Sequence, residues 1–234
     1  MYKYIVALVL LFVFGGLYNA NAQYISLKQK TELVENQKKI SSSMELYFDK
    51  GKSAIAKVIT SPDLVYIFSN RFGETKIYYP ETNEVSYMQT DILSSQREVI
   101  YYFANNLTDQ LGLADEGFSL AERNFDDKYL VTIWKAPATM ELIEKVKMVF
   151  DGPNPIYAEY ISRKSEVIKK IYYSQYNDYN SFRLPLRITE ISYPQPGDST
   201  IKRTIFSDVQ LSATPNSDFF NFKIPDNAEP IKKK

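Results

Sequence analysis

The chain reads as a mainly β protein of the α+β kind. We expect one long antiparallel sheet, coiled or partly closed, with two helices available to cover one face. Three observations lead there. Stretches in the second half alternate apolar and polar side chains, as Val146, Met148 and Phe150 do with Lys145 and Lys147. Helical spacing occurs in two places, one near the N-terminus and one mid-chain. Aromatic residues make up 15% of the chain, 19 of them Tyr and 14 Phe, and such side chains suit a pleated surface.

Taken in order, the first residues form a leader. Lys3 is a positive n-region, Ile5 to Leu17 an apolar run, and Ala20-Asn21-Ala22 a small-x-small cleavage site. The apolar run is short for the ~20 residues that a membrane span needs. We therefore expect residues 1–22 to be a cleaved signal peptide, Gln23 to be the mature N-terminus, and 23–234 to form a single domain. The chain has no cysteine, so it can carry neither an N-terminal cysteine lipid anchor nor disulfides. A monomer on the far side of the inner membrane, in the periplasm, is expected.

Leu27 to Ser43 places Leu27, Leu33, Val34 and Ile40 among Lys, Glu and Gln, which predicts an amphipathic helix. Strand composition follows. Pro62 and Asp63 mark a turn before a buried strand over Leu64 to Phe68. The segment RFGETKIYYPETNEVSYM, residues 71–88, predicts a hairpin, with turns at Gly73 and at Pro80 to Asn83. From Ser94 the period lengthens. Ile100, Phe103, Leu107 and Leu111 recur at three- and four-residue spacing up to Gly112, which predicts a second helix.

After it come strands. Tyr129 to Trp134 is one. EKVKMVFDGPNPIYAEYISRKSEVIKKIYYSQY predicts three, with turns at Gly152 to Pro155 and around Arg163 to Ser165. Phe182, Leu184, Leu186 and Ile188 then share one face of a further strand, opposite Arg183, Arg187 and Thr189. Pro185 belongs at an edge or bulge of that strand. The last pieces are Ile201 to Val209 and FFNFKIP at 219–225.

Composition narrows the chemistry. There is no histidine, hence no Ser-His-Asp triad and no His-ligated zinc. Without cysteine there is no thiolate chemistry. The carboxylate pairs Asp126-Asp127 and Glu81/Glu84 sit in turn sequence, where acids are expected anyway. We expect no catalysis, no cofactor and no metal. Lys and Arg number 28 and so do Asp and Glu, which does not suit a nucleic-acid partner. Lys232 to Lys234 reads as a solvated tail. What remains is apolar surface rich in tyrosine, whose apolar ring and polar tip fit a wall between a lipid-like ligand and water.

Several segments carry a resemblance: ITSPDLVYIFSN, FGETKIYYPETNEV, the mid-chain helix, LPLRITEI, and the terminal SDVQLSATPNSDFFNFKIPDNAEPI. Pro62, the stretch from Gly73 through Pro80, and the stretch from Phe220 through Ala228 correspond to recurring signals of the periplasmic lipoprotein carrier family LolA. The chain resembles that family over nearly all of its mature length. The resemblance implies an open, incomplete antiparallel β-barrel whose concave apolar face is covered by helices and holds lipoprotein acyl chains. It also implies an inner-membrane release complex and an outer-membrane acceptor as partners. Acyl chains gain about 0.8 kcal/mol per buried CH₂, so ~15 carbons represent about 12 kcal/mol for a carrier to replace. In the family, an arginine just before the proline latches the lid helices; here that position is Ser61.

The expected cavity draws on Tyr66, Phe68, Ile77, Tyr79 and Tyr87 from the hairpin region. Val146, Met148, Phe150, Phe182, Leu184, Leu186 and Ile188 come from later strands, and Ile100, Phe103 and Leu107 form a movable lid. A second reading of the same fold is an envelope sensor or interaction module that binds a partner protein or signal lipid. A third is a β domain with a filled core.

Overall fold

The computed structural model describes residues 23–194 and 197–231. The leader expected over 1–22 and the tail Lys232 to Lys234 lie outside the described residues. The elements are β1 (Tyr24–Glu35), β2 (Lys38–Asp49), β3 (Ala54–Ser61), β4 (Val65–Ser69), β5 (Glu74–Tyr79), β6 (Glu84–Gln89) and α1 (Val99–Ala104). Then follow β7 (Ser119–Asp126), β8 (Tyr129–Lys135), β9 (Ile143–Asp151), β10 (Asn154–Ser162), β11 (Val167–Asp178), β12 (Arg183–Ser192), β13 (Thr200–Ser212) and β14 (Glu229–Pro230).

Among the described residues the strands form one sheet of 14, in the order β14-β6-β5-β4-β3-β2-β1-β13-β12-β11-β10-β9-β8-β7. Every pairing is antiparallel except β14 on β6. Two meanders, β1–β6 and β7–β13, join where β1 pairs with β13. Residues 90–118 must therefore cross from β6, near one edge, to β7 at the other.

The expected N-terminal helix is instead the β1–β2 hairpin, a correction to the helical reading. Asn36 and Gln37 form its two-residue turn with φ of 48° and 63°, the left-handed pair a tight hairpin requires. The spacing of Leu27, Leu33 and Val34 fits a helix loosely. In the sheet Ile25, Leu27 and Leu33 share one face; Phe48, Leu46 and Ile40 on β2 lie opposite them, and Met44 shares that face. The mid-chain helix is present but short. α1 covers six residues, and left-handed residues at Asn106 and Leu111 break the chain before Gly112. Among the described residues one short α-helix, not a helical roof, accompanies the sheet. The expected 71–88 hairpin is β5–β6, and Gly73 is required there: φ is +73°, and a Cβ would stand 2.1 Å from the Thr90 carbonyl oxygen. FFNFKIP is not a strand; Asp218–Asn221 is a 3-10 turn. Pro185 pairs only with Tyr176 on β11, because the β12–β13 ladder begins at Arg187, so it occupies a local edge.

The sheet curls around one face. Ile25, Phe48 and Ile55 from β1–β3 share a single buried cluster with Trp134, Val146, Met148, Leu184 and Phe206 from β8–β13. β3 and β8 stand far apart in the sheet order, so only curling brings these faces together. A register shift between Ser26 and Lys28, opposite Asp208 at φ 51°, adds local twist at the β1–β13 seam.

Candidate ligand-binding face

The inner face of the sheet has a filled half and an open half. In the filled half α1 inserts Ile100, Phe103 and Ala104, which are 1%, 1% and 0% exposed. Phe103 lies 6.2 Å from the Tyr173 ring and 6.3 Å from that of Tyr176. Val146, Met148, Phe150, Phe182, Leu184 and Ile188 are all buried here, and Leu107 and Leu186 are half-buried. Burial pushes the Tyr160 phenol up to about 12, with Glu116 and Glu190 adding to the shift, and holds Tyr173 well above its ordinary value. These residues form packed core. Phe103, expected as part of a movable lid with Ile100 and Leu107, lies within this buried cluster. The filled half keeps a small recess of about 270 Å³ beside Leu130, Trp134, Phe150 and Arg123.

The crossover that carries α1 is held at several points. Ser95 N–H donates to the Asn70 carbonyl at 3.1 Å, and Ser94 Oγ to the Arg71 carbonyl at 2.8 Å. Lys50 Nζ donates to the Ala104 carbonyl at 2.8 Å, where the helix ends. Lys57 on β3 pairs with Glu98, the residue preceding α1. Ser61 is exposed at the end of β3 and makes no such tie, so Lys57 is the β3 cation that reaches the crossover.

The open half lies beyond that ion pair. Cross-strand register places Leu33, Met44, Ile59, Val65, Ile67, Ile77 and Tyr79 on the inner face of β1–β5. All seven are half-buried, and none belongs to the buried cluster. The crossover closes one end of this apolar strip, where Ser69 and Thr75 are buried and bonded to each other at 2.9 Å. The other end reaches the rim at the hairpin turns. Beside Leu33, past β1, the inner face turns polar, with Lys202 paired to Glu190 at 2.8 Å.

The hairpin residues expected at one cavity split between faces. Ile77 and Tyr79 are inner. Tyr66, Phe68 and Tyr87 are outer, because Tyr66 pairs with Tyr78 and Ile67 with Ile77. Both parities of β4 are apolar, so periodicity cannot choose the face. The deciding partner is remote in sequence. After β13 the chain returns over the outer face, where Phe222 stacks on Phe68 at 5.4 Å, Phe219 meets Tyr66 at 5.2 Å, and Phe220 meets Tyr24 at 4.9 Å. β14 then adds to β6, with Asn83 Nδ2 donating to the Asn227 carbonyl at 2.9 Å. Val65, Ile67, Ile59, Met44 and Leu33 were absent from the expected site; assigning 27–43 to a helix hid part of the strip. Asp126, Asp127 and Glu81 lie exposed at hairpin turns and approach neither face's interior.

This curled, open antiparallel sheet, crossed on its inner face by one linking segment, is similar in fold to several solved structures. A LolA superfamily protein from Nitrosomonas europaea is similar, with a TM-score of 0.55 and 14% identity, covering 85% of this chain and 90% of that one. An outer membrane lipoprotein-sorting protein domain from Vibrio parahaemolyticus gives 0.55 and 13%, over 85% and 89%. A DUF1329 family protein from Desulfovibrio piger gives 0.54 and 13%, over 93% and 95%. No protein-family model and no curated protein matches the sequence.

Proposed function

We propose that this chain is an exported carrier that shelters the acyl chain of a lipid-modified protein, or of a comparable amphiphile, on the inner strip of β1–β5. One observation carries the reading: seven half-buried apolar side chains run together across the inside of a curled sheet, while the other half of that face is already packed. The lipoprotein-sorting domain among the similar structures supports it. The strip suits loading and release. A chain laid on it loses water contact on one side, and each CH₂ moved from water is worth about 0.8 kcal/mol. An open face lets the same chain leave for an acceptor. The leader over 1–22 would deliver the protein to the periplasm, where it would act as a monomer towards the outer membrane, without catalysis.

Titration with a fluorescent fatty acid tests this. The full mature chain binds the probe, Ile67→Ser and Ile77→Ser weaken binding roughly tenfold or more, and Tyr87→Ser on the outer face leaves it unchanged. Unaltered binding in both strip variants, or no binding by the wild-type chain, contradicts the reading.

A further inference from the structure

We propose that the outer face carries a second site, for an organic ammonium cation borne on a flat apolar body. It lies on the opposite side of the sheet from the acyl strip and does not rest on the carrier reading. The site is a groove of about 690 Å³ between β2–β6 and the returning C-terminal segment. That volume falls in the range of small-molecule pockets, about 300–1,000 Å³. Tyr47, Phe68 and Tyr87 line it from the sheet, and Phe220 and Phe222 from the returning segment. Aromatic ring faces attract cations, and of these five rings Tyr87 is the exposed one.

Asp49 gives the groove its preference. It lines the groove, yet its side chain is only 7% exposed. Oδ1 accepts the Lys52 N–H at 3.0 Å, while Oδ2 is buried without a hydrogen-bond donor. A buried carboxylate oxygen in that state is costly until a donor meets it. The nearest cation is Lys52, with Nζ 3.3 Å from Oδ2, but that side chain is 64% exposed. It is a loose partner that an incoming ammonium can displace while making the missing charge-assisted bond. Glu74 and Asp226 add negative charge to the groove and Lys76 and Lys223 positive. All four residues are exposed, so the buried Asp49 sets the sign of the ligand.

Calorimetric titration of the full chain with three probes of one shape tests the site: phenethylammonium, 2-phenylethanol and 3-phenylpropionate. The ammonium binds roughly tenfold more tightly than the other two. Asp49→Asn, which keeps an oxygen for the Lys52 N–H, abolishes that preference. Lys52→Met strengthens ammonium binding severalfold by removing the competing cation. Should Asp49→Asn not fold, the wild-type series and Lys52→Met decide alone. Equal binding of all three probes means an apolar crevice only, and overturns the site. So do tighter binding of the anion, no binding up to about 10 mM, or a Lys52→Met variant that binds the ammonium no better.

Discussion

Phe103 and Ile77 look alike as apolar residues expected at one cavity, and the fold separates them. Phe103 is 1% exposed between α1 and the tyrosines of β11, whereas Ile77 is half-buried on the strip. Truncating a packed aromatic costs about 3–5 kcal/mol. A half-buried aliphatic loses roughly 1 kcal/mol of transfer energy and leaves no sealed cavity. Urea unfolding should therefore give Phe103→Ala a loss several times that of Ile77→Ala; equal losses would mean that the strip is packed core too. The phenols make a second residue-level statement. Burial first, with nearby carboxylates, pushes Tyr160 and Tyr102 up to about 12 from an ordinary 10.0. Their raised folded values stabilise the protein in full below about pH 10, and that contribution fades as pH climbs through about 12. Unfolding free energy measured at rising pH should fall across this window, together with a delayed phenolate absorbance. Stability flat to pH 12, with early tyrosine ionisation, would contradict the burial of these rings.

At the scale of elements, the strands from β8 to β13 were legible because one face of each is apolar and their turns are marked by Gly, Pro, Asn or Ser. The β1–β2 hairpin was not legible as a hairpin. Its turn is Asn36-Gln37, and glutamine is a poor sign of a left-handed residue, so Leu27 to Ser43 read as continuous helix. β7 went unassigned because all eight of its residues are exposed and it lacks an apolar face. The mid-chain helix was legible in kind but not in length, since its apolar spacing continues through left-handed residues at Asn106 and Leu111. The Asn36-Gln37 turn yields a prediction. Gln37 sits at φ 63°, where an L side chain costs about 1 kcal/mol or more relative to Gly. Gln37→Gly should raise the urea midpoint by roughly that much stability without changing the m-value. A lower midpoint would show that the side chain does more for the fold than the turn geometry indicates.

For the whole molecule, the sequence pointed to an open antiparallel sheet but not to how its two faces are used. Local alternation says which residues share a face. It does not say which face curls inward or what returns to cover the other. Both answers come from contacts far apart in the chain: α1 against β11 and β12, and Phe219, Phe220 and Phe222 against Tyr24, Tyr47, Tyr66 and Phe68. The proposed carrier function puts an acyl chain on the inner strip of β1–β5. The most direct test is a photoreactive fatty acid cross-linked to the protein comprising residues 23–234, with the labelled residues mapped by mass spectrometry. Labels are expected at Met44, Ile59, Val65, Ile67, Ile77 and Tyr79. Labels concentrated on the outer groove at Tyr87 and Phe222, or spread over the surface without competition by unlabelled fatty acid, would contradict it.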